Sequence, residues 1–384
     1  MAITHYYVRA TNGADVAGQG TSHATAYKTP QFALDDIGAT HGQGADGDQI
    51  NICATTAEGA NTLAAALSIA TYGTPTAARP LILRGYTTVA NDGGVGEINC
   101  GGFPEWASSA YDYIHQFDLE LHTFGDNDGV YIDTFNTVAR CEVHRGASAP
   151  NTKRLIRVNT GSVVTGNYVH DPGAGTAFGI VGGTRCVLNG NFVDMGALHS
   201  SPSFGISAES NSFANFNIVL LRAHGYGIYA TSTPCIQNNI VFSTVANTEY
   251  GIYLNNVTNA MVTSNIVCGF SGAGGVGIYN TGNAFQCGHN AFYNNTVDQV
   301  LGNVVLDLGN DVALAADPFV DAANGDFSLT EAAKTALAAK GWPQSYLGAH
   351  ANTVPNLNIG PIQMAAAVAG ALLRHPGMTG GFEA

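Results

Sequence analysis

Between about residues 129 and 292 the apolar positions come in runs of two or three, broken by Gly, Asn and other turn-forming residues, and the runs recur. A Gly-Ile pair stands at Gly179-Ile180, Gly205-Ile206, Gly227-Ile228, Gly251-Ile252 and Gly277-Ile278, at spacings of 26, 22, 24 and 26. Three of the pairs run on into tyrosine, at Tyr229, Tyr253 and Tyr279. Leu155-Ile156 and Gly129-Val130-Tyr131 extend the series backwards at 24 and 26. A second column keeps phase with the first. It consists of Asn167-Tyr-Val, Asn191-Phe-Val, Asn217-Ile-Val, Asn239-Ile-Val, Asn265-Ile-Val and Asn290-Ala-Phe, spaced by 24, 26, 22, 26 and 25.

Two columns drifting together define a repeat of roughly two dozen residues, and repeats of that length build solenoids. Each unit holds only short strands and cannot bury its apolar face alone; stacked on its neighbours it can. The predicted class is therefore all-β, a single-stranded right-handed parallel β-helix. Asn at one corner of every coil can hydrogen-bond to the Asn above and below, and it tolerates the left-handed turn such a corner needs. The column is thus read as turn chemistry and not as a binding site. The segments between columns vary in length (170–178, 194–204, 220–226 and 268–276) and map to loops on one side, the usual binding side of a solenoid. A leucine-rich repeat has a similar period but requires regularly spaced Leu, which is scarce here.

The ends carry different signals. His5-Tyr-Tyr-Val8 reads as a strand, and Gly47 to Cys53 as its return. Between them Thr29 is a helix N-cap with Pro30 at the first helical position and Phe32, Ala33, Leu34 and Ile37 on one face. This short helix would cover the open edge of the first coil. Met364 to His375 is apolar all round and seeks burial, either on the last coil or on a partner chain. Met364, Val368, Leu372 and Leu373 are its candidate partner-binding residues. The expected organisation is a cap and first coil over 1–55, the β-helix over 56–330 and a closing segment with tail over 331–384.

Composition narrows the reading. Gly is frequent at 48 residues and charged residues make up only 11%, as suits stacked short strands with many tight turns. Lys and Arg number 14 against 28 Asp and Glu, a net charge of −14 with no cationic cluster, which argues against nucleic acid and anionic membranes as partners. Seven Cys without CxxC spacing fit buried thiols in a reducing compartment better than a disulfide framework. No basic segment followed by an apolar run opens the chain, so no signal peptide is read there and folding in the cytoplasm of the producing cell is expected.

The motif at the start, Tyr6-Tyr-Val8 through Ala26-Tyr-Lys-Thr29, Ala33-Leu-Asp-Asp-Ile37 and Gly47-Asp-Gln-Ile-Asn-Ile52, resembles the opening of right-handed parallel β-helix proteins of the pectin-lyase-like class. Asp317-Pro-Phe-Val-Asp-Ala-Ala-Asn-Gly-Asp-Phe-Ser-Leu329 and Asn358-Ile-Gly-Pro-Ile-Gln363 resemble their closing segments. With the coils, the resemblance covers about residues 5 to 363. The absent signal peptide and the closing Gly341-Trp-Pro343 and Ile359-Gly-Pro-Ile-Gln363 are also similar to virion proteins of tailed phages. The fold itself hosts lyases, hydrolases and inert structural proteins alike.

Two functions follow as expectations. The first is a non-enzymatic virion protein that decorates or cements a phage capsid, a homotrimer on the virion surface made and folded in the host cytoplasm, with the major capsid protein or another virion protein as partner. The second is a glycan-binding or polysaccharide-degrading β-helix, a tailspike depolymerase, lyase or hydrolase. Its acids would be Asp171, Asp194 and Glu209, assisted by His170 and His199, because glycoside hydrolysis needs paired carboxyls about 5 to 10 Å apart and coils stack about 4.8 Å apart. Arg185 and Arg222 are the only basic residues near these acids in sequence. No cofactor is called for. Asp126, Asp128 and Asp133 form an oxygen-rich cluster of the kind that can hold Ca²⁺, although a Gly/Asp turn explains it equally well.

Overall fold

The computed structural model describes residues 3–338 and 340, apart from 54–58, 109, 125–126, 146–152, 173–174, 176, 198–202, 283 and 303–304. The chain is a parallel β-helix of about eight turns with little helix. It divides into two compact units, residues 1–186 and 187–384, and both follow one plan of three parallel sheets.

In the first unit, Thr4–Val8, Asp48–Cys53, Leu81–Tyr86, Ile114–Phe117, Thr137–Ala139 and Val163–Thr165 form the first sheet. The second sheet takes Asn61–Thr62, Gly96–Asn99, Leu119–His122, Glu142–His144 and Tyr168–His170, and the third Val130–Ile132, Arg154–Val158 and Phe178–Gly182. The opening cap forms as expected. Thr29 Oγ1 accepts the Phe32 N–H at the start of a helix over Pro30–Asp36, which continues as a wider turn over Ile37–His41. Ala33, Leu34 and Ile37 are fully buried under it. The helix packs against Thr4–Val8, so the outermost strand is covered on one face.

In the second unit the Gly-Ile column stacks in register, Ile206 on Ile228 on Ile252 on Ile278, all fully buried. Burial of each such side chain contributes roughly 1.5–3 kcal/mol. The glycine before each isoleucine also has a steric cause. A Cβ at Gly205, Gly227 or Gly251 would overlap Cγ1 of Val219, Val241 or Val267 respectively, so the opposite wall of the coil packs directly on backbone. The Asn column is an amide ladder. Asn191 donates to Asn217 at 2.9 Å, Asn217 to Asn239 at 3.0 Å, Asn239 to Asn265 at 2.9 Å and Asn265 to Asn290 at 3.0 Å, all buried. One detail differs from expectation. The left-handed corner falls on the residue before the column Asn, at Gly190, Phe216, Asn238, Ser264 and His289. The column Asn follows this corner and turns its amide inward, onto backbone groups that the corner would otherwise leave unpaired.

The closing motif folds as an antiparallel pair, Phe319–Asp321 with Asp326–Leu329, followed by a helix over Glu331–Leu337 capped by Thr330. Phe319, Phe327, Leu329, Ala333 and Leu337 pack onto Leu220, Ile240, Phe242, Ile266, Cys268 and Ala291, the outward face of the second sheet in this unit. All seven cysteines are thiols and, Cys235 apart, buried. No helix among the described residues is long and apolar enough to cross a membrane. Met364, Val368, Leu372 and Leu373 lie outside the described residues.

Candidate functional site

The second sheet of the first unit shows on its outer side what the alternation of a strand dictates. Ile98, Leu121, Val143 and Val169 point into the core, and the residues flanking them point out. Register stacks the outward residues into two columns: Glu97, Glu120, Glu142 and Tyr168 in one, Asn99, His122, His144 and His170 in the other. Side chains in the two columns pair diagonally, each imidazole reaching the carboxylate of the preceding coil. His122 Nε2 lies 2.8 Å from Glu97 Oε1, His144 Nε2 3.2 Å from Glu120 Oε1, and His170 Nε2 2.8 Å from Glu142 Oε1. The imidazoles lie one above another, at centroid separations of 5.3 Å for His122 and His144 and 4.6 Å for His144 and His170. Tyr168 stacks on His170 at 4.3 Å. These six Glu and His side chains are between 14% and 31% exposed, which leaves them reachable but largely shielded from water.

The electrostatics follow from the pairing. The hydrogen bond from His144 outweighs burial and holds the Glu120 carboxyl below the usual glutamate range. Burial alone would discharge His170, but its hydrogen bonds to Glu142 and Asp171 prevail and raise its pKa. Asp171 sits at φ 46°, in the left-handed region that Asp tolerates, with Oδ2 2.9 Å from His170 Nδ1. Its carbonyl accepts the Arg145 N–H. Elsewhere in the first unit, Glu105 is fully buried and accepts from Gln116 Nε2 at 3.0 and 2.8 Å, and burial pushes its carboxyl up to about 8.

The residues singled out from sequence fare unevenly. His170 and Asp171 belong to the ladder and touch one another. In the second unit Asp194 is gripped by Arg222, whose Nε and Nη2 donate to its carboxylate at 2.9 and 2.8 Å while Nη1 donates to the Ala323 carbonyl. Asp194 thus anchors the closing segment, and its partner, absent beside it in sequence, comes from 28 residues along the chain. Glu209 is exposed in the turn after Phe204–Ala208, where its carbonyl accepts the Ser212 N–H. His199 and Asp126 lie outside the described residues. Asp128 receives the Arg154 N–H and guanidinium, and Asp133 receives Asn159 Nδ2 at 2.7 Å, so each joins one coil to the next; among the described residues neither belongs to a metal-ligand group.

Glu97, Glu120, Glu142, His122 and His144 escaped the sequence reading. Their signal is present as Leu119-Glu-Leu-His122, Cys141-Glu-Val-His144 and Asn167-Tyr-Val-His170, with histidines 22 and 26 apart in the same phase as the apolar columns.

No family model and no curated protein matches this chain. Among solved structures, the crystal structure of pectate lyase Pel9A is similar at a TM-score of 0.48, with 13% identity over 94% of this chain and 96% of that one. No residue role follows from a likeness at that level.

Proposed function

We propose that the Glu–His face binds a polysaccharide along the coil stack and cleaves it with the carboxyl pair Glu97 and Glu120. The observation that supports this reading is the stacking of the two carboxylates one coil apart, with ligand atoms of Glu97, Glu120 and His122 within 4.8 Å of one another. Retaining glycosidases hold their two carboxyl groups about 5–5.5 Å apart, one as nucleophile and one as acid and then base. Glu120, kept ionised by His144, takes the nucleophile's role. Glu97 gives its proton to the leaving glycosidic oxygen as the bond to the anomeric carbon breaks, then takes one from the water that releases the sugar from Glu120. His122, bonded to Glu97, positions it. The chain's net charge of −14 disfavours polyuronates, so neutral glycans are the expected class.

The test is release of reducing ends from a panel of neutral and acidic polysaccharides. Release by the wild type, lost in Glu120→Gln and in Glu97→Gln, supports the reading. Absence of release from every polysaccharide in the panel overturns it.

A second reading, a non-enzymatic homotrimer that decorates a phage capsid, is compatible with a different observation. Asp194, Asp128 and Asp133 all serve contacts that hold the chain together, as the acids of a structural protein would. It predicts co-sedimentation with the parent capsid through the major capsid protein. A monomer that fails to bind those particles removes it.

A further inference from the structure

Further along the same ladder, Glu142, His144 and His170 make a group of another kind. Each offers one ligand atom, and the three atoms lie within 4.8 Å of one another. Two imidazoles and one carboxylate are the donor set of open zinc sites, which leave the fourth position to water or substrate. Imidazole donors select Zn²⁺-class transition metals over Ca²⁺ and Mg²⁺, which require oxygen. We infer that Glu142, His144 and His170 bind one divalent transition-metal ion of the zinc class, with its open position toward solvent.

Three features beyond the donor types support this. The donors come from two adjacent strands locked by register, Glu142 with Tyr168 and His144 with His170, so the backbone that carries them is rigid. Asp171 Oδ2 is bonded to His170 Nδ1 and leaves Nε2 to face Glu142, the arrangement in which an outer carboxylate orients a metal-binding imidazole. All three donors also lie on one outward face, so none of the core needs to open to admit an ion. Ligation has a geometric consequence. Rings stacked 4.6 Å apart at 16° cannot aim both lone pairs at one ion, so His144 and His170 must fan apart as it binds. The neighbouring group, Glu97, Glu120 and His122, has a single imidazole and is the poorer site for such a metal. The inference takes from the glycan reading only that this face is the working one.

The experiment uses untagged full-length protein, stripped with a chelator and titrated with Zn²⁺ by calorimetry, and with Co²⁺ by visible absorption. One tight equivalent and the intense d–d bands of a low-coordinate nitrogen–oxygen site are expected. His170→Asn and Glu142→Gln should each abolish the tight equivalent while circular dichroism and melting stay those of the folded protein. Asp171→Asn should weaken binding by roughly 10- to 100-fold. His122→Asn should leave the stoichiometry intact. Absence of tight binding, or equal loss in His122→Asn and in folded His170→Asn, overturns the inference. The glycan reading falls separately: metal binding without turnover of any polysaccharide sinks that reading alone, and turnover by protein that binds no Zn²⁺ sinks only the metal site.

Discussion

The two units build their second sheet on the same plan and use its outer side in opposite ways. In the first unit the outward positions are Glu97, Glu120, Glu142 and Tyr168 beside His122, His144 and His170, half-shielded and paired across coils. In the second unit the equivalent strand positions are Phe192, Ile218, Ile240, Ile266 and Ala291 beside Asp194, Leu220, Phe242, Cys268 and Tyr293. There the closing segment lies over them, with Phe319 and Phe327 packed edge-on against Phe242. One face is covered by the closing segment, whereas the other keeps its paired Glu and His side chains partly open to solvent. The lesson is that inward positions of a β-helix report only on folding, whereas a change of outward chemistry marks where the job changes.

The largest effect should come from uncovering the apolar face. Phe327→Ala removes a buried ring of the closing segment and should destabilise the protein by about 3–5 kcal/mol in a denaturant melt. His122→Ala, on the other face, removes a partly shielded surface pair and should cost about 1 kcal/mol or less. Equal costs would break the comparison.

The next effect is specific to the first unit and depends on pH. Glu105 has a folded pKa of about 8 against an ordinary value of 4.5, so the fold favours the protonated acid. Stability from this group is complete below about pH 4.5 and is lost as pH rises through about 8. Between pH 5 and 9 the loss should reach roughly 2–4 kcal/mol, and Glu105→Gln should remove most of that slope in melts run across the range.

The second unit keeps its buried polar column neutral, and its cost on mutation should not vary with pH. Asn239→Ala strips partners from Asn217, Asn265 and the Ala214 carbonyl and should cost about 1–3 kcal/mol at any pH between 5 and 9. A smaller effect than that of Asn239 concerns Asp194. Asp194→Asn weakens its grip on Arg222 and should lower stability by about 1–2 kcal/mol without changing glycan turnover or metal binding. A loss of turnover with unchanged stability would return Asp194 to a working role.

Much of the architecture was legible because stacking repeats it. Ile206, Ile228, Ile252 and Ile278 sit above one another for the reason that spaced them in the chain. Thr29 and Pro30 open a helix by local hydrogen bonding alone. The left-handed corner was harder to place, since Phe216 and His289 hold it as well as Gly190. The stacked Asn amides and the tightness of the turn impose that conformation against local preference. The candidate site was less legible still. Asp171 and Asp194 stood out as acids in variable loops, yet the carboxylates that gather are Glu97, Glu120 and Glu142, in the middle of strands where a charged residue reads as ordinary solvated surface.

The sequence by itself determined the period of the coils, the inward columns and the opening cap, because each depends on contacts between residues one coil apart or within one turn. Only the tertiary structure decided the fate of the outward columns. Whether an outward side chain meets solvent or the closing segment depends on residues 319–337, far along the chain from the strands they cover. Whether an imidazole meets a carboxylate depends on a diagonal between coils that no spacing in one dimension displays. The fold is written as repetition; the chemistry lies where repetition leaves the outer face free to vary.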